Sequence, residues 1–327
     1  MKFEDLVVVT RNRNIENIHE GVAVIIDSDG KIIKEWGDST ISIYPRSAIK
    51  PVQTFGIITS GTMKSLNISY ERIALATSSH HGENIHTDMV RSWLDEMHLE
   101  ENDLANGLDW PLGKKRKDYI IRNDGRKSKL LHNCSGKHCG QLAICTHKNW
   151  STLNYHLLNH PAQKLFIDNL EELSEVKIKN IGVDGCNLPA PYMPLNKFAY
   201  TLARLADPQK LSEEYKEACN IIFDACTDFP IIAGGTESIN SIITKLSNKK
   251  LFAKNGAEGV FGVMIPSLKV GIAIKIKDGN SKAAEVALAG VLKELNILDD
   301  AILSSMYSQV LTNSTGAAVG TIEWIKK

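Results

Sequence analysis

The chain has 327 residues, 43% of them apolar, and its 38 basic and 38 acidic side chains cancel. That size buries a large core, as one domain or two closely packed ones, and excludes a disordered chain. The charge balance excludes a global field drawing in nucleic acid or an anionic membrane, so the expected partner is a small, locally recognised molecule.

The opening residues, Met1 to Asp5, lack an apolar signal segment, and no run approaches the roughly 20 apolar residues that span a bilayer, which predicts a cytoplasmic protein. Gly21 to Asp27, the turn Ser28-Asp29-Gly30 and Lys31 to Gly37 predict a β-hairpin. β-branched alternation predicts a strand from Thr40 to Tyr44, and the apolar run Val52 to Ile58 follows it. The middle is expected to be helical, over 87–99, 140–147, 161–173, 195–205 and 212–226, with Ser212 and the Glu213-Glu214 pair suited to a helix start. Two more strands, 259–265 and 270–276, and a helix over 281–295 close the chain. The expected architecture is α/β (α+β): an antiparallel sheet built from both chain ends and covered by helices, in one compact unit, with the sheet region at 1–80 plus 228–327 and the mostly helical region at 81–227. That order of elements matches the serine β-lactamase and glutaminase type of fold.

Chemistry concentrates in five blocks. Ser47 stands three residues before Lys50 at the expected strand-to-helix turn, and in a helical turn side chains at i and i+3 share a face. A lysine amine kept neutral by burial can take a serine proton during attack on a carbonyl, and unpaired N–H groups of the first helical turn suit an oxyanion. Pro51, which lacks an N–H, confines the pair to that first turn. Ser78-Ser79-His80-His81 packs hydroxyls and imidazoles into a turn, where active-site groups often sit. Cys134, His138, Cys139 and Cys186 offer soft donors, but their spacing matches no structural zinc module, and buried inert thiols are the alternative. His81, His86, His156 and His160 read as capping or surface groups. The six cysteines in a chain of this length and composition argue against a disulfide framework.

Arg46-Ser47-Ala48-Ile49-Lys50-Pro51-Val52-Gln53, Ser78-Ser79-His80, Cys134-Ser135-Gly136-Lys137-His138, Val183-Asp184-Gly185-Cys186 and the block from Lys254 to Val260 together resemble the Rhizobium etli-type (class 3) L-asparaginases, over nearly the whole chain. The resemblance implies hydrolysis of L-asparagine to L-aspartate and ammonia by two Ser-Lys tandems, Ser47 with Lys50 and Ser79 with Lys254. It implies a zinc ion on Cys134, Lys137 and Cys186 that assists substrate binding, with Asp184 beside it, and a homodimer. Lys275, also near a closing strand, competes with Lys254 for its role. In the expected mechanism Lys50 deprotonates Ser47, which forms a β-aspartyl ester. Arg46 is a candidate for the substrate α-carboxylate, Asp184 or Glu258 for its ammonium, and His80 completes the substrate-binding set. Asn187 stands where glycine would be common. The competing expectations are a glutaminase or β-lactamase-like serine hydrolase, and a non-catalytic zinc-binding protein.

Overall fold

A computed structural model describes residues 2–326. In chain order its strands are β1 (Glu4–Arg11), β2 (Asn14–Asp27), β3 (Ile32–Trp36), β4 (Ser42–Ile43), β5 (Asn180–Val183), β6 (Pro189–Pro194), β7 (Phe252–Gly256), β8 (Val260–Ile265), β9 (Val270–Ile276), β10 (Ser308–Thr312) and β11 (Ala318–Trp324). Its helices are α1 (Lys50–Thr59), α2 (Thr62–Ser65), α3 (Tyr70–Thr77), α4 (Asn84–Glu96), α5 (Lys114–Arg122), α6 (Ser135–Lys148), α7 (Pro161–Ser174), α8 (Leu195–Ala206), α9 (Glu213–Asp228), α10 (Ile239–Leu246), α11 (Ser281–Glu294) and α12 (Asp300–Tyr307). The fold is the expected mixture of helices with an antiparallel sheet drawn from both chain ends. The described residues group into two compact units: one holds the chain up to Ala48, Met193–Asp207 and the chain from Ala253 onward, the other Ile49–Tyr192 and Pro208–Phe252.

The first unit is built on the sheet β10-β11-β1-β2-β9-β8-β7, with β3 also paired to β2. The expected hairpin is the second half of β2 with β3, in register Ala23 to Trp36, and β8 pairs antiparallel with β9. Side chains alternate faces along a strand, yet Val22, Ala23, Val24, Ile25 and Ile26 are all buried, so both faces of β2 are covered there. Helix α8, counted with the helical middle from sequence, packs on β2, β8 and β9, while α11 packs on β1, β8, β9 and β11. The glycines of β8 and β9 admit α8: a Cβ on Gly271 would fall 2.1 Å from the Ala199 carbonyl oxygen. Strands β1, β10 and β11 were not foreseen. Strand β1 pairs with β2 through a two-residue turn, Asn12-Arg13, with both φ angles positive, and with β11 in register Val7 to Trp324.

The second unit is a helical body around α1, in which every residue from Lys50 to Ile58 is buried. Helix α1 packs on α2, α3, α6, α7 and α9. A helix apolar nearly all round belongs at the centre of such a body, which accounts for the unbroken run after Pro51. Helix α6 begins at Ser135, a turn and a half earlier than expected, and a Cβ on Gly136 would fall 2.5 Å from the Leu75 carbonyl oxygen. Only a glycine lets the first turn of α6 meet α3 so closely. Gly136→Ala is therefore expected to lower stability by about 1–3 kcal/mol through backbone displacement, read as a fall in denaturant midpoint at constant m. Among the described residues no helix is long and apolar enough to cross a membrane.

Candidate active site

In the helical unit the turn after α3 and the start of α6 converge on the start of α1. The Arg46–Ile49 segment is a 3₁₀ turn that runs into α1, with Lys50 at the first helical position and Pro51 just inside it, as proline chemistry requires. Lys50 is fully buried. Its Nζ donates to the Ser78 carbonyl, to Ser79 Oγ at 3.0 Å and to the Asn133 carbonyl at 3.4 Å. The amine that spacing pairs with Ser47 thus lies on Ser79, 29 residues away in the chain. Ser78 turns its own hydroxyl back to the Leu75 carbonyl, which leaves Ser79 as the serine facing the amine.

Burial, the largest influence, lowers the Lys50 pKa from the usual lysine value, and the nearby Lys137 acts in the same direction, against the thiols of Cys134 and Cys186. An ammonium stripped of water is costly unless paired, so burial shifts Lys50 toward its uncharged form. Carbonyl oxygens only accept. In the neutral amine the two N–H bonds are therefore directed to Ser78 and Asn133, and the lone pair is left for the Ser79 hydroxyl proton. The arrangement can take a proton from Ser79.

A second cluster lies in the same unit. Lys137, in the first turn of α6, donates through Nζ to Cys186 Sγ at 3.1 Å. Cys186 sits in the tight connection between β5 and β6, closed by the Asn187 N–H on the Asp184 carbonyl. Asn187 there has φ +68°, the left-handed region that asparagine tolerates better than most side chains. A hydrogen bond from Cys134, joined by the Lys137 charge, holds the Cys186 thiol well below its usual pKa, and the same bond pushes Cys134 up. Burial opposes the Lys137 ammonium, but Cys134, Cys186 and Asp184 together raise it above the usual lysine range. Burial and then Lys137 push His138 down to about 3, so it is neutral, with Nδ1 on the Tyr155 hydroxyl at 2.6 Å. Among the described residues no three His, Cys, Asp or Glu side chains are placed to hold a metal; the thiols of Cys134 and Cys186 and the Lys137 amine lie together.

The remaining candidates belong to the sheet-bearing unit. Arg46 and Ser47 are half-buried in the 3₁₀ turn, where Arg46 has φ +53°. Lys254 is buried on β7 and donates to the Asn255 carbonyl at 2.9 Å. A Cβ on Gly256 would fall 2.3 Å from the Pro45 carbonyl oxygen and 3.3 Å from the Ala48 nitrogen, so the strand end carrying Lys254 lies against the turn carrying Ser47. Glu258 is exposed in the β7–β8 turn, and Lys275 on β9 donates to its carbonyl. Two groups at the cysteine block had been given no role: the carbonyl of Asn133, just before the block, which accepts from Lys50, and Ser135 within it, whose Oγ lies 2.8 Å from His80 Nε2. The sequence carries no signal for a backbone carbonyl. The Ser135 hydroxyl next to Cys134 was visible but ambiguous.

A hydroxyl facing an amine whose charge is suppressed is the equipment of hydrolases that open a carbonyl through a serine. The chain belongs to the L-asparaginase II family, whose model matches residues 7–324, and is an amidohydrolase. No curated protein matches it. Among solved structures it is similar to a provisionally assigned β-lactamase of Bacteroides dorei DSM 17855, at 11% identity over 84% of this chain and 93% of that one, TM-score 0.47. It is also similar to a β-lactamase of Mycobacterium bovis, at 12% identity over 84% and 94%, TM-score 0.44. A third likeness is to Mglu in its glutamate form, at 12% identity over 85% of this chain and 61% of that one, TM-score 0.40.

Proposed function

We propose that the protein hydrolyses L-asparagine to L-aspartate and ammonia as an asparaginase of the Rhizobium etli type. The observation that carries this reading is the buried Lys50 amine on Ser79 in a chain of the L-asparaginase II family. Neutral Lys50 takes the Ser79 proton, and Ser47 and Lys254 supply the second hydroxyl and amine. A serine Oγ bonds to the side-chain carbonyl carbon, the carbon–nitrogen bond breaks and ammonia leaves with the returned proton. Water then hydrolyses the β-aspartyl ester. Arg46 is assigned the substrate α-carboxylate and Asp184 its ammonium. The mass of the serine peptide carrying a trapped ester identifies the acylated residue as Ser47 or Ser79. The assay is ammonia release from asparagine, run beside glutamine and a chromogenic β-lactam. Turnover of the β-lactam without ammonia from asparagine overturns the reading.

Two thiols and an amine form a donor set suited to zinc, and Cys134, Lys137 and Cys186 would hold it. When bound, the ion would supply a fixed positive charge for substrate binding. The amine and both thiols must shed protons to ligate, so zinc affinity is expected to fall as pH drops from 8 to 6, and Cys186→Ser to lose most of it. Competition titration with a chromogenic chelator checks both. Sedimentation measures the proposed homodimer.

A further inference from the structure

We propose that His80 and Ser135 are positioning residues that hold Ser79 against Lys50, and that the His80 ring is not a substrate ligand. The inference deepens the asparaginase reading and rests on it for the reaction measured.

Both residues are completely buried. His80 Nδ1 accepts the Gly82 backbone N–H at 3.2 Å, so that nitrogen carries no proton. The ring proton is therefore on Nε2, which donates to Ser135 Oγ at 2.8 Å. Ser135 in turn donates to the Leu130 carbonyl at 3.0 Å, which uses its only proton. The ring stacks on His86 with centroids 5.0 Å apart and planes 10° apart. Each ring nitrogen has a partner, and one face of the ring is covered.

The backbone completes the clamp. The His80 N–H donates to the Asn133 carbonyl at 3.3 Å, and that carbonyl is also an acceptor of Lys50 Nζ. On the other side of Ser79, the Ser78 carbonyl accepts from the same amine. Ser79 is thus held between one residue that binds Lys50 directly and another locked by ring and backbone to the segment 133–135. Removing the Ser135 hydroxyl leaves the imidazole N–H without its acceptor in a dry site, and the ring must turn or shift, moving the residue before it. Displacement of a reacting group by about 1 Å costs up to about 10²-fold in rate.

The test compares Ser135→Ala, His80→Gln and His80→Ala in steady-state asparagine hydrolysis, with melting curves for each. Ser135→Ala is expected to lower kcat about 10- to 100-fold with KM within about twofold. His80→Gln, whose amide keeps a donor, is expected to retain more activity than His80→Ala. Unchanged kcat in Ser135→Ala, even at a lower melting temperature, reduces the bond to a structural one and overturns the proposal. A raised KM at unchanged kcat in the His80 variants makes the ring a substrate ligand and overturns it too. A readout that needs no turnover is the nitrogen-15 spectrum of the imidazoles: the wild type should show His80 as the Nε2–H tautomer, and an Nδ1–H tautomer refutes the clamp. Wild-type protein that releases no ammonia from asparagine defeats the functional reading instead, and the tautomer still decides the clamp.

Discussion

Replacement of Lys50 by methionine is expected to lower kcat/KM for asparagine by about 10²- to 10⁴-fold, the contribution of a positioned general base. The methionine is close in length and apolar, and the site is fully buried, so the variant should fold with a melting temperature within a few degrees of the parent. Lys50→Arg should be as inactive, because a guanidinium does not lose its proton and has no lone pair to offer Ser79. The two variants separate the need for a positive charge, which arginine keeps, from the need for a neutral amine, which both lack. The pH profile carries the same logic. The competent form of Lys50 is deprotonated, so kcat/KM should rise with pH to a plateau and fall on acidification through the Lys50 pKa, which burial places below the usual lysine value. An acidic limb that survives in an active Lys50→Met enzyme would assign it to another group.

Ser79→Ala carries the second large effect, a fall in kcat of about 10³-fold or more, because the hydroxyl is what Lys50 acts on. Residues that act as a unit are not additive. The Lys50→Met, Ser79→Ala double variant should therefore be about as slow as the slower single one, and stopped-flow or discontinuous ammonia assays over long incubations resolve that comparison. Multiplied losses would mean that the two side chains serve separate steps, and the 3.0 Å approach would then be incidental.

The five blocks were legible because their residue types are chemically unusual together, and the hairpin of β2 with β3, the pair β8 with β9 and helix α11 because each is a local pattern bounded by turn residues or a helix cap. Strands β1, β10 and β11 went unread although β1 with β2 and β10 with β11 are local hairpins; what no local window contains is the pairing that joins β1 to β11, Val7 opposite Trp324, across almost the entire chain. The start of α6 was misplaced for a related reason. Cys134-Ser135-Gly136 reads as a loop by propensity, and tertiary packing of Gly136 on Leu75 makes it helix instead.

The sequence by itself determined which residues carry reactive groups, that Lys50 stands in the first turn of an apolar helix, and, through the family match over residues 7–324, that the chain is an amidohydrolase. Only the tertiary structure decided partners. Spacing assigned the Lys50 amine to Ser47, since three residues of helix bring side chains to one face. In the folded chain the buried amine meets the carbonyls of Ser78 and Asn133 and the hydroxyl of Ser79. A buried amine goes where its hydrogen bonds are satisfied, and those acceptors come from the turn after α3 and the approach to α6, which converge only when the chain is folded.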